Sequence, residues 1–394
     1  MYLSKRAQSL QESAIRKLDS AMRSYTDVSF FRLNIGQPDI ETHPKIRQTI
    51  QNWDVSVLAY GPASGTDQCR EAFAQYHKTW QSNLRKEHIA VTTGGSEALL
   101  FAFTAICDPG DEILVPAPYY TNYNGFATVA GAHVRPIKTD IKDGFALPSN
   151  AQLDALKTDR TRAFVFSNPS NPTGAVYDMD EVKRIAQWCL QNDVYFISDE
   201  VYRRIWFDSP PASALSLEEE KDAVIVIDSL SKTWSACGLR LGALISRNER
   251  LMEKIERLGQ ARLGPQPLAQ EAGITALQLE EEYYESVRME WKERVDVLFE
   301  ALSEIPDIKQ NKPQGAFYTM VELPVLAEDF ALFLIHDFRD NGESLVVAPG
   351  GGFYEAPEHG KNQIRLAAVL EPAKIRRAIE ILGKALQAFQ ERNS

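Results

Sequence analysis

Apolar residues along the chain fall into short continuous runs, separated by longer segments with helical spacing. The runs at 89–93, 112–116, 133–137, 162–167, 194–198, 223–228 and 241–246 have the length of strands, and 223–228 in particular is continuously apolar, the pattern of a strand covered on both faces. Between them, 67–81, 97–106, 122–130 and 180–192 read as helices. Strands alternating with helices predict an α/β fold on a doubly wound, mostly parallel sheet. After residue 250 the rhythm changes. Helices at 249–260 and 267–303, the second broken near 280–283, precede strand-like runs at 315–321, 344–348 and 363–369 and helices near 327–340 and 372–391. That mixture is an α+β unit. Leu10, Ala14, Ile15, Leu18 and Met22 recur at helical spacing, predicting one amphipathic helix within residues 4–24. The expected division is a large domain, 45–285, and a smaller discontinuous α+β domain, 1–44 plus 286–394, that closes on it.

Composition narrows the class. At 394 residues, 44% hydrophobic and 25% charged, the chain has the make-up of a soluble protein of about two domains. The net charge of -11 argues against nucleic acid or an anionic membrane as partner, since both call for basic patches. No apolar run approaches the roughly 18 residues of a membrane span, and residues 1–20 lack a signal-peptide pattern, so a cytoplasmic protein is expected. Cys69, Cys107, Cys189 and Cys237 are scattered, as are the histidines, which predicts free thiols and no metal site.

Chemistry concentrates where the predicted strands end, the edge at which such sheets gather functional groups. Gly94-Gly95-Ser96 precedes a helix whose first turn would offer amide N–H groups to a phosphate. Tyr119 and Tyr120, the turn Asn168–Gly174, and Asp199 with Tyr202 follow three further strands. Asp228-Ser229-Leu230-Ser231-Lys232 follows another and leads to Arg240. A lysine set among phosphate-binding residue types suits imine formation with an aldehyde. Ser-x-x-Lys alone is a short pattern that many surface loops share; the company it keeps gives it weight.

Taken together, Asn34-x-Gly36-x-Pro38-Asp39, Asn168-Pro-Ser-Asn171-Pro-Thr-Gly174, Ser198-Asp199-Glu200-Val-Tyr202, Ser229-x-Ser231-Lys232 with Arg240, and Arg365 resemble the class I/II aminotransferases of the fold-type I pyridoxal-phosphate superfamily. The resemblance runs nearly end to end. It implies that Lys232 holds the aldehyde of pyridoxal 5'-phosphate and then moves the substrate proton, and that Asp199 pairs with the pyridine nitrogen. Asn171 and Tyr202 would bond the phenolic oxygen, and Tyr120, or its neighbour Tyr119, would stack on the ring. Gly95, Ser96, Ser229 and Arg240 would take the phosphate, joined by Tyr60 from the other subunit of a homodimer. Arg365 would clamp the substrate α-carboxylate, with Gly36 and Asn171 beside it. Arg262 lies where some dicarboxylate-specific relatives supply an arginine from the partner subunit, which implies a reader of a distal carboxylate. The loop 349–354 would move over bound substrate.

The function implied is amino transfer between an L-amino acid and a 2-oxo acid, with aspartate and 2-oxoglutarate the leading pair. Aromatic, branched-chain or alanine transamination, or a C–S lyase on the same scaffold, remain open. A catalytically silent binding protein of this fold would have no use for Lys232, Asp199 and Arg365 together.

Overall fold

Seven apolar runs form one sheet in the computed structural model, which describes residues 1–10, 14–81 and 83–393. Across the sheet the order is Ile89–Thr92, Gly242–Ile245, Val224–Ser229, Tyr195–Asp199, Thr161–Ser167, Glu112–Ala117 and His133–Lys138. Gly242–Ile245 runs antiparallel to both neighbours, and the remaining pairs are parallel. Successive side chains of a strand point to opposite faces. Val224 and Val226 accordingly pack with Phe73 of helix Asp67–Tyr76 and Ile185 of helix Met179–Gln191. Ile225 and Ile227 pack with Phe103 of helix Gly94–Ile106 and Ile255 of helix Glu249–Arg262. Both faces are covered, which is why the strands read as unbroken apolar runs.

A second core gathers Trp291 and Val295 of helix Glu281–Ser303, Phe330 of helix Ala327–His336 and Ile379 of helix Pro372–Asn393. They cover an antiparallel sheet in the order Ala348–Pro349, Gln363–Ala367, Tyr318–Glu322 and Lys309–Gln310. Ser29–Arg32 pairs in parallel with Glu343–Val346, so the N-terminal segment joins the C-terminal third. Residues 314–316 are bonded through their backbone to the turn after Thr161–Ser167 and to the segment after Tyr195–Asp199, whose Ile205 and Phe207 side chains lie in the second core. Gly174 O accepts from Gln314 N at 2.8 Å and Gly315 N at 3.0 Å, Ile205 O accepts from Ala316 N at 2.8 Å, and Phe207 N donates to Gln314 O at 2.9 Å.

Several boundaries differ from the periodicity. The single helix expected in 4–24 is two, Lys5–Ser9 and Ala14–Met22, because Leu10 adopts extended backbone; residues 11–13 of that expectation lie outside the described residues. The helix expected from residue 97 begins at Gly94, where Glu97 reaches back to accept from Thr93 N at 2.7 Å. The helix expected to reach residue 340 stops at His336, since Asp337 N and Phe338 N both turn back to Phe333 O. The break expected near 280–283 in the long helix 267–303 is present, at residues 278–280 between Pro267–Leu277 and Glu281–Ser303. Among the described residues no helix is long and apolar enough to cross a membrane.

Candidate active site

The carboxyl ends of four parallel strands lie side by side. The loops leaving them deliver Tyr120, Asn171, Tyr202 and Lys232 to one place. Lys232 Nζ donates to Gly36 O at 2.8 Å and stands 5.7 Å from the Tyr202 ring centre and 5.8 Å from that of Phe317.

Asp199 closes its strand inside the protein. Oδ2 accepts from Tyr123 Oη at 2.9 Å, while Oδ1 is buried without a hydrogen-bond partner among the described residues. Burial pushes the carboxyl up to about 7; Asp228 and Glu200 push the same way, while bonds from Tyr123 and the Val201 amide oppose them. A buried carboxylate oxygen without a donor is costly, and a cationic N–H placed there would relieve the cost.

Asn168 shapes the next turn. Its Nδ2 donates to Tyr177 O and Ala212 O, both at 3.0 Å, and its Oδ1 accepts from Tyr177 N at 3.0 Å. Gly174 closes the turn at φ +73, where a Cβ would come within 2.6 Å of Pro313 Cβ. Asn171 is thereby held with Oδ1 accepting from Arg365 Nη1 at 3.2 Å.

Arg365 lies on Gln363–Ala367, only 4% exposed. Its Nη2 donates to Asn34 O at 2.6 Å, its Nε has no hydrogen-bond partner among the described residues, and the Tyr318 and Phe353 rings flank it at 4.6 and 4.8 Å. Burial lowers its pKa, and the groups opposing that shift are tyrosines. No ion pair with a carboxylate holds it among the described residues. Removing one partner of a buried charge pair is strongly destabilising, so a cation built this way is completed by an incoming carboxylate.

A second cation faces a helix end. A Cβ on Gly94 would lie 2.6 Å from Arg240 Nη2, and one on Gly95 would lie 3.6 Å from Ser229 Cβ. Arg240 Nη1 and Nη2 donate to Cys237 O at 2.9 Å and Thr93 O at 3.4 Å. The guanidinium and the positive end of the helix dipole therefore meet across the Gly95-Ser96 turn, an arrangement that favours an anion. Ser229 Oγ accepts from Ser231 N at 3.1 Å, donates to Leu241 O at 3.2 Å and lies 2.7 Å from the more exposed Ser231 Oγ.

Of the two neighbouring tyrosines, Tyr120 feels the charges of Asp199 and Arg365, and burial pushes its hydroxyl up to about 12. Tyr119 instead donates to Asn124 Oδ1 at 3.0 Å. Two expected residues are not brought to the cluster within one protomer. Tyr60 is 86% exposed beside exposed Val57 and Leu58. The Arg262 guanidinium is paired with Glu97 and donates to Ala63 O at 2.8 Å and Leu263 O at 2.5 Å.

Sequence reasoning passed over Tyr123 and Tyr318. Tyr123 stands three residues after Tyr120, on the first turn of helix Asn122–Ala130, and the two rings meet edge to face at 5.5 Å. Tyr318 sits in an apolar run that reads as core; its hydroxyl is 3.0 Å from that of Tyr202. Beneath the lysine loop, Arg203 pairs with Glu200 and donates to His77 Nδ1 at 2.7 Å, while His77 Nε2 lies 3.1 Å from Asp228 Oδ2 without the alignment of a hydrogen bond. Burial, reinforced by Arg203, lowers the His77 pKa to about 4.

The family model described as aminotransferase class I and II matches residues 28–382. The chain belongs to that family. This aminotransferase is 28% identical to an aspartate aminotransferase of Sulfurisphaera tokodaii over 90% of its own length and 89% of the relative's. It is also 28% identical to an asparagine–oxo-acid transaminase of Streptococcus mutans, over 91% of each chain. Among solved structures, an alanine aminotransferase from Pyrococcus furiosus superposes with a TM-score of 0.90 at 30% identity, covering 98% of this chain and all of that one. The enzyme is a transaminase, and the cofactor of its family is pyridoxal phosphate. The residues present fit that group: an Asp199 oxygen without a partner among the described residues for a cationic ring nitrogen, Arg240 over a helix end for a phosphate, and a lysine whose Nζ donates to the Gly36 carbonyl beside Tyr202.

Proposed function

We propose that this aminotransferase exchanges an amino group between aspartate and 2-oxoglutarate, as a cytoplasmic homodimer whose large domain spans about 45–285 and whose small domain takes up the rest. Pyridoxal phosphate, when bound, supplies the electron-accepting ring that such an exchange requires. Asp199 holds the ring nitrogen, Asn171 and Tyr202 bond the phenolic oxygen, and Tyr120 covers the ring. Gly95, Ser96, Ser229 and Arg240 hold the phosphate, with Tyr60 arriving from the partner. Lys232 carries the proton between substrate and cofactor atoms.

The observation that carries the reading is Arg365, buried and flanked by aromatic rings, with no carboxylate of its own among the described residues. A substrate α-carboxylate completes it, aided by Asn171 and the Gly36 backbone. Aspartate rests on the names of several relatives. Arg262 would read a second carboxylate in the partner's site only by exchanging its bond to Glu97.

The test is spectroscopic. Holoenzyme mixed with a panel of amino acids should lose the lysine-bound absorbance fastest with aspartate and regain it with 2-oxoglutarate. Conversion by alanine or asparagine but not aspartate overturns the substrate; no conversion with any amino acid overturns the reading.

A further inference from the structure

Tyr318 joins the two halves of the site. Its strand, Tyr318–Glu322, pairs with Gln363–Ala367, which carries Arg365. The ring lies 4.6 Å beneath the Arg365 guanidinium, and the hydroxyl reaches 3.0 Å from Tyr202 Oη. Space for that hydroxyl exists because residue 36 is glycine: a Cβ there would fall 1.8 Å from Tyr318 Oη. The residue is 2% exposed.

By geometry either tyrosine could donate in this contact, and the direction follows from where Tyr202 spends its single proton. Tyr318 Oη has Tyr202 Oη at 3.0 Å and Gly36 O at 3.4 Å, and Gly36 O already accepts from Lys232 Nζ at 2.8 Å. A tyrosine hydroxyl carries one proton, so where Tyr202 gives its own to the cofactor's phenolic oxygen, the 3.0 Å contact is made with the Tyr318 proton, and Tyr318 donates to Tyr202. Tyr202 then keeps its own proton for an acceptor on its other side, and a hydroxyl that accepts one bond donates the next more strongly.

We infer that Tyr318 is a positioning residue with two parts: its hydroxyl orients and polarises the Tyr202 proton, and its ring supports Arg365 for the substrate carboxylate. This rests on the reading that Tyr202 bonds the cofactor's phenolic oxygen. A stronger donor there draws charge from that oxygen and makes the nitrogen joining Lys232 to the cofactor less basic. The other charged or titratable groups facing the pair are Lys232, Asp199, Tyr120 and Arg365, and the substitutions below leave all four in place.

The experiment compares wild type, Tyr318→Phe and Tyr318→Leu as holoenzymes, reading the pH at which the lysine-linked absorbance changes together with kcat and KM for the amino donor. Tyr318→Phe should move the spectral transition upward by about half a pH unit, the weakening expected from losing one bond of a cooperative pair. Its KM should hold, because the ring remains. Tyr318→Leu should show the same spectral shift and a KM raised several-fold, through the lost cation–π contact of about 1 kcal/mol. An unmoved transition in Tyr318→Phe overturns the hydroxyl's role, and equal KM values in Phe and Leu variants overturn the ring's. If wild type shows no Lys232-dependent absorbance, the reading of the site itself fails, which is a different result.

Discussion

Asp199 offers one oxygen to Tyr123 and keeps the other without a partner among the described residues, and its burial sets a pH dependence that can be signed. In the unfolded chain an aspartate ionises near pH 4, roughly. In the folded protein the carboxyl holds its proton up to about 7. The folded state thus binds the extra proton in that window, and stability is lost as pH rises through it. Without cofactor, Asp199→Asn should gain on wild type by on the order of 2–4 kcal/mol between pH 4 and 8, measured by urea unfolding, while losing cofactor affinity. A stability difference that does not change with pH would show that the carboxyl is not raised. The legibility of the site divides along similar lines. Lys232 and Asn171 stand out in sequence because charged or turn-forming residues just past a strand have few structural uses, and Arg365 because an arginine inside a strand-like apolar run calls for a partner. Tyr123 and Tyr318 do not, because a tyrosine inside an apolar run serves packing equally well until its hydroxyl partner is known. Arg262 could not be matched to Glu97 in advance, since nothing local couples residues so far apart.

At the level of elements, the N-terminal turn of Gly94–Ile106 makes the sharpest demand. Gly94 adopts φ +77, and Arg240 fills the space a side chain would take. Gly94→Ala should cost about 1–2 kcal/mol of stability from the left-handed backbone alone. Displacement of Arg240 should weaken cofactor binding at least about tenfold, since a charge-assisted bond contributes about 1.5–3 kcal/mol. Fluorescence titration with pyridoxal phosphate and a melting curve check the two effects separately; unchanged affinity would remove Arg240 and this turn from the phosphate site. The doubly wound sheet was readable because strands covered on both faces carry no alternation to confuse them with surface strands. Helix ends were less so. The start at Gly94 depends on Glu97 reaching back to the Thr93 amide, and the stop at His336 on amides folding back to Phe333, neither of which periodicity encodes.

For the whole molecule, Val55, Val57, Leu58 and Tyr60 form an exposed apolar edge, and Arg262 and Gly264 pack against the same loop through Ala63 and Gly61. An isologous dimer would cover this edge and carry Tyr60 to the partner's site. Chains carrying Tyr60→Ala and chains carrying Lys232→Ala should each be nearly inactive. Refolded together in equal amounts they should recover about a quarter of wild-type activity, because half the dimers are hybrids with one intact site. No recovery from hybrids proven by sedimentation would exclude a shared site. The discontinuous small domain was legible from the change of rhythm after residue 250, but the backbone bonds that hold residues 314–316 were not. The carbonyls of Gly174 and Ile205, with the Phe207 amide, grip residues 314–316 just ahead of Tyr318. In mechanical terms that junction is a weld and not a bearing. Were the outer helices to swing over a substrate, these bonds would hold residues 314–316, and Tyr318 just beyond them, to the loops at the end of the large sheet, and would put the pivot elsewhere along the chain.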